Sequence, residues 1–315
     1  MPVVVAPLRL KVKSRIILVR PCLIQGLCGI FSLFFGALLS AQTESPRWSR
    51  RPLTLATEVS ETSGLMVTEE GIWTFNDSGG KPEIYLLDTL SGKVIRTVKI
   101  HQALNKDWEA GMISGERLYI ADTGNNQGKR TDLKVYACTK PTINDSVLIP
   151  SAEYRFRWPD ELYGVGEEKT HDRDCEAMVY MQDSLFLLTK SWKTLSLKLA
   201  HLKEAPVQIA CVIDSLPNGY LITDAVFRED IPGKGRLLLL GYENKIPGDV
   251  WLWILEGNIG SEILKGRVRA IKLGNALQLG QTEGIAFIGP EQIVISAEKF
   301  GLNARAVLHF LDIRN

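Results

Sequence analysis

Histidine is scarce, with 4 residues in 315, and cysteine is little commoner at 5. Cys22 and Cys28 fall in the first 41 residues, which leaves Cys138, Cys175 and Cys211. No Cys-x-x-Cys pair and no Cys/His spacing suggests zinc. One disulfide among three thiols is open, but the spacing does not demand it, and buried free thiols are expected. His101, His201 and His309 are isolated and read as packing or surface residues. A basic excess is also missing: Lys and Arg number 37 against 36 Asp and Glu, which argues against a nucleic-acid binder. Neither a GxSxG elbow nor a GxxxxGK[ST] loop occurs. Gly164-Val165-Gly166 lacks the strand and helix of a dinucleotide site. Asn76-Asp77-Ser78-Gly79-Gly80 lacks the histidine context of a nucleophilic serine. Long helical periodicity is absent after Gln42, with Leu195–Leu202 the one doubtful stretch. Apolar residues at 45% and charged residues at 23% are those of an ordinary globular chain.

Charge is unevenly placed. Arg9, Lys11, Lys13, Arg15 and Arg20 are five of the 37 bases and lie in a segment with no acid, so residues 42–315 carry 32 bases against 36 acids. The five bases precede an apolar run from Pro21 to Ala41 that ends in Leu39-Ser40-Ala41. This is the pattern of a secretory signal, with cleavage expected after Ala41 and export to the periplasm or the extracellular space. The run also approaches the roughly 20 residues that span a bilayer, so a retained signal anchor is the alternative, with membrane association only in that case. Residues 42–50 read as a linker and 51–315 as the folded domain.

The body is a series of short apolar runs divided by turn residues. Gly71–Phe75, Ile84–Leu87, Val94–Ile100, Arg117–Ala121, Ser184–Thr189, Arg236–Tyr242 and Gln292–Ser296 are examples, an all-β pattern. A short motif recurs five times: Ser63-Gly64-Leu65, Glu109-Ala110-Gly111-Met112, Glu176-Ala177-Met178, Asp224-Ala225-Val226 and Glu283-Gly284-Ile285. Its small residues stand at 64, 110, 177, 225 and 284, and intervals of this size suit four-stranded propeller blades. Too little chain follows Glu283 for a full blade, so Leu53–Val59 is expected to supply its missing outer strand and close the disc. The sequence predicts a five-bladed β-propeller. A sixth blade hidden in the longest interval is the rival, and an insertion there, around Trp158–Lys169, is a candidate cover for the channel mouth.

In a propeller the innermost strands line a central channel. The first residue of each motif, Ser63, Glu109, Glu176, Asp224 and Glu283, should then form a ring. Four carboxylates facing one narrow channel repel unless neutralised, and Ca2+ with its six to eight oxygen ligands suits such a ring.

The order Ser-Gly-Leu, Asp107-Trp108-Glu109-Ala110, Asp174-Cys175-Glu176-Ala177, Thr223-Asp224-Ala225-Val226-Phe227 and Thr282-Glu283-Gly284-Ile285-Ala286-Phe287 resembles the calcium-activated nucleotidases, or secreted apyrases, and more distantly other secreted, phytase-like propellers. The resemblance covers the inner strands, roughly residues 58–298. It implies a five-bladed propeller with calcium in its channel and a ring of Ser, Glu, Glu, Ser and Glu, whose fourth place is Asp224 here. The family's Asp-Asp-Arg-Thr-Gly is matched by Asn76-Asp77-Ser78-Gly79-Gly80, which keeps Asp77 and lacks the arginine.

Polar residues at the strand ends, Asp77, Asp122, Lys190, Tyr242, Glu243, Glu298 and Lys299, suggest a second ring at the mouth, with Arg130, His171 and Arg173 on adjoining loops. Two functions follow. One is a metal-dependent hydrolase of nucleotides or other phosphoesters, with Asp77 or Asp122 as base, Lys190 or Arg130 as charge stabiliser, and Arg130, Tyr242 and Lys299 on the substrate. The other is a non-catalytic propeller that binds a small molecule or partner and uses calcium structurally.

Overall fold

Apolar runs too short for helices, most of them flanked by Gly, Asn or Asp, bury their side chains as strands in stacked sheets. The computed structural model describes residues 43–159, 168–300 and 305–314 and places these runs in five sheets. The expected signal segment, 1–41, and most of the expected covering insertion, 160–167, lie outside the described residues. Each sheet is one blade, and the described residues of the 67-residue interval form no sixth. The inner strands are Thr62–Thr68, Trp108–Ser114, Asp174–Met181, Leu221–Ile231 and Gln281–Gly289. Each packs on the next, and the fifth packs on the first, so the ring is closed. The doubtful stretch at 195–202 is a strand, Ser196–Leu202, third in blade three. Helical pieces among the described residues are short: Gly260–Lys265 and Ala276–Leu279.

Apolar cores fill the spaces between neighbouring blades. One joins Ala177, Phe186 and Leu199 of blade three to Ile222, Leu239 and Trp253 of blade four. Another joins Trp73 and Phe75 of blade one to Trp108 and Ile120 of blade two, where Phe75 and Trp108 meet edge to face at 5.6 Å. Burial pushes the thiols of Cys138 and Cys175 up to about 12, and the three cysteines among the described residues are free.

Closure draws on the N-terminal segment. Leu53–Thr54 and Arg47–Trp48 both pair antiparallel with Val307–Asp312 of blade five. Part of the stretch expected as a linker, 42–50, is thus built into the disc, because blades four and five would otherwise present open edges. Thr43–Glu44 covers the edge of blade four in parallel register. The same device recurs around the disc. Between the third and fourth strands of blade two, Val147–Leu148 crosses back to pair with Val94–Ile100 of blade one. In blade three, Val207–Ile209 crosses back to Ala152–Arg157 of blade two. In blade four, Gly260–Lys265 crosses back and buries Ile263 and Leu264 in the core it shares with blade three.

Candidate functional site at the acidic end of the channel

Every inner strand carries a β-bulge near its start. The residue set out of register is Gly64, Glu109, Glu176, Thr223 or Glu283 in blades one to five. A bulge re-aims the extra side chain and breaks local pairing, so it is where a strand can turn a polar group toward the axis. Three of the five are glutamates, and all three are buried: Glu109 at 6% exposure, Glu176 at 2% and Glu283 at 5%. Ser63 lies one residue before its bulge and Asp224 one residue after, so the five do not share one phase. Alignment on the small residue hid this, because in blade one the small residue is itself the bulge.

Ser63 and Asp224 tie blades together. Ser63 Oγ donates to the Glu109 carbonyl at 2.9 Å. Asp224 accepts from the backbone of Ala225 at 2.8 Å and from Ile285 of blade five at 2.7 Å. Burial still holds its carboxyl well above the usual range. Thr123 Oγ1 likewise donates to the Cys175 carbonyl at 2.8 Å, and Asp174 accepts from the Asn125 backbone at 2.7 Å.

Two residues ahead of each glutamate stands a polar partner. Asp107 stands against Glu109 and Asp174 against Glu176, each aspartate raising its glutamate through like charge. Gln281 Nε2 donates to Glu283 at 2.5 Å. The Asp107 and Glu109 carboxyls both crowd the Cα of Gly124, where a Cβ would lie 2.2 Å from Glu109 Oε1 and 2.4 Å from Asp107 Oδ2. A side chain at 124 would have to displace both carboxyls. The Asp-x-Glu spacing was visible in the sequence, but Asp107 and Asp174 were not singled out. Thr223 and Thr282 were missed because isolated threonines give no signal.

The second strands end beside these acids. Register places Asn76, Lys190, Tyr242 and Glu298 opposite Thr62, Asp174, Leu221 and Gln281. Asp122 lies opposite Trp108, one step out of phase with them. Its carboxylate is fully buried, paired with Arg130 at 2.8 Å, and accepts from the Asp107 backbone. Arg130 also donates to the Gly124 carbonyl and pairs with Asp132, so it braces the turn after Asp122. Lys299 is exposed at its strand end. Lys190 is buried, with Nζ 3.1 Å from Glu176 Oε2, 5.2 Å from the ring centre of Trp192 and 5.6 Å from that of Tyr242.

Burial and mutual repulsion raise the acids as a group. Glu109, Glu176 and Glu283 are held above the usual carboxylate range, first by burial. Half-buried Asp77 is pushed up to about 7 by burial and by Glu61, Glu283 and Asp107. Asp107 rises to about 6 through burial and the charge of Asp174. Glu298 rises to about 9 through burial, Glu283 and Asp77. Several oxygens here are buried without a partner: Glu176 Oε1, Thr223 Oγ1, Thr282 Oγ1, Glu283 Oε2 and Glu298 Oε1. Beside them lies a cavity of about 240 Å³ walled by Trp192, Tyr242, Phe300, Lys169, Gln281 and Thr282.

As the side chains stand, they do not fit a calcium ion. Among the described residues, no three His, Cys, Asp or Glu side chains converge as a metal would require. The Lys190 ammonium also takes one oxygen of Glu176.

No protein-family model matches the chain, and no curated protein is detectably similar to it. Solved structures share its fold. An exo-β-1,3-galactanase from Phanerochaete chrysosporium with galactose has a TM-score of 0.51 at 10% identity, over 86% of this chain and 65% of that one. An exo-β-1,3-galactanase from Clostridium thermocellum has a TM-score of 0.50 at 9% identity, over 87% of this chain and 62% of that one. The chain thus spans under two thirds of either galactanase. A putative oxidoreductase (glucose dehydrogenase) from Thermus thermophilus aligns over 83% of this chain and 99% of its own, at 12% identity and a TM-score of 0.45. At these identities the likeness is one of fold. The chain is a five-bladed β-propeller, and its membership of the apyrase-like family is not shown.

Proposed function

We propose that the acidic end of the channel is the reaction centre of a hydrolase acting on a neutral, hydroxyl-rich substrate of the glycoside type. One observation carries the reading. Glu109, Asp174, Glu176, Glu283 and Glu298 surround the buried ammonium of Lys190, and Asp77 and Asp107 adjoin this group, so carboxyls outnumber the cations Lys190, Arg130 and Lys169 at this end of the channel. Raised pKa values keep part of this cluster protonated, which sets acid groups beside ionised carboxylates, the pairing that glycosidic cleavage through a positively charged transition state uses. The excess of carboxyls disfavours the negative charge of a phosphoryl group. Unpartnered hydroxyl and carboxyl oxygens suit a ligand rich in hydroxyls, and Trp192 and Tyr242 give a sugar ring an apolar wall. Asp77 is the proton-transfer group: it is reachable from solvent and titrates near neutrality. Export, suggested by the N-terminal segment, would put this site in contact with extracellular polymers. N-terminal sequencing of secreted protein, expected to begin near Gln42, checks that part.

The test is a panel of aryl glycosides and oligosaccharides beside nucleotides and phosphoesters, each with calcium and with chelator. Turnover should appear among the glycosides and should fall about a hundredfold or more in Asp77→Asn, with melting temperature maintained. Phosphate release from nucleotides that requires calcium would reverse the substrate assignment and restore the reading drawn from the inner-strand motifs. Saturable quenching of tryptophan fluorescence by a sugar without turnover would reduce the site to a binding module.

A further inference from the structure

The ring of acids poses a charge problem that a divalent ion would solve, yet the chain brings its own cation. Lys190 enters from the second strand of blade three, directly opposite Asp174 in the sheet. Its side chain is 5% exposed, and Nζ stands 3.1 Å from Glu176 Oε2. The faces of Trp192 and Tyr242 flank it at 5.2 and 5.6 Å, so the charge has a carboxylate on one side and π-systems on others. An ammonium buried to this degree is stable only where acids compensate it.

We propose that the Lys190 ammonium is the resident cation of the channel, standing where a divalent ion would otherwise neutralise the bulge glutamates, and that the folded protein therefore needs no metal there. Glu176 Oε1 and Glu283 Oε2 are buried without hydrogen-bond partners, and both carboxyls act on the ammonium through their charge. Removing the ammonium leaves Glu176 and Glu283 buried with no cation to offset them, so a small cation admitted by local rearrangement of these carboxyls becomes the remaining way to neutralise them. The proposal is independent of the substrate reading, because it is read in stability and metal binding.

The experiment uses the full chain, calcium chloride and a chelator. The parent should melt at the same temperature in both and give no calcium-binding heat in titration calorimetry. Lys190→Met should melt roughly 5 °C or more lower, and calcium should raise its melting temperature saturably. Lys190→Arg should behave as the parent, because it keeps the charge. Glu176→Gln combined with Lys190→Met should recover part of the loss and lose the calcium response. A parent that binds calcium, or that melts lower in chelator, overturns the proposal. So does a folded Lys190→Met protein that ignores calcium. Should Lys190→Met fail to fold, the chelator comparison on the parent and the calcium response of Lys190→Gln decide.

Discussion

Three glutamates reach the channel because each sits on a bulge, and their burial there fixes how the protein answers to pH. A carboxyl whose pKa is higher in the fold than in the unfolded chain binds its proton more tightly when folded. The stability it contributes is complete at low pH and is lost as pH rises through the folded value. Asp107, Asp77 and Glu298 stand at about 6, 7 and 9, against ordinary values of 3.8, 3.8 and 4.5. The loss should therefore run from about pH 4 to about pH 9, and the melting temperature should fall across that window. Glu298→Gln cannot ionise and should flatten the curve between pH 7 and pH 9. A Glu298→Gln curve parallel to the parent's would mean that Glu298 ionises freely in the fold.

Adjacent inner strands approach so closely that their motifs need small residues. Gly64 has φ +36°, and a Cβ there would lie 2.7 Å from the backbone nitrogen of Gly111 and 2.6 Å from Phe75 Cζ. Gly64→Ala should cost about 2–4 kcal/mol through strain and clash, read as a lower denaturant midpoint. A midpoint within error of the parent would mean that the strands can part without loss. This packing rule is why the architecture was legible. The five small residues repeat along the chain, and apolar runs such as Val94–Ile100 match their strands residue for residue. The site was legible only in part. Glu109, Glu176 and Glu283 carry the motif and sit on bulges, but whether Ser63 or Gly64, and Asp224 or Thr223, turns inward depends on a one-residue register shift. Local patterning does not encode that shift, since both choices alternate equally well along the strand. The Lys190–Glu176 contact was also hidden, because it depends on how the third blade's second strand pairs.

Across the whole molecule, segments from neighbouring blades or from the N-terminal stretch cover sheet edges. Deleting residues 43–54 would remove Leu53–Thr54 and Arg47–Trp48 from blade five and Thr43–Glu44 from blade four. Exposed edges template pairing with other chains. The deletion should therefore shift the protein to oligomers in size-exclusion chromatography and lower its melting temperature by about 5 °C or more. A monomer with the parent's melting curve would make these strands dispensable. The same closure has a consequence for synthesis. Leu55 accepts from Arg305, 250 residues further along the chain. On the ribosome, the first segment of the disc to emerge must wait for the last. The hairpins of each blade can form as they appear, since their contacts are local. The ring cannot lock until translation is nearly finished, so a stalled nascent chain carries an early strand without its partner, and that strand is what a chaperone would have to shield.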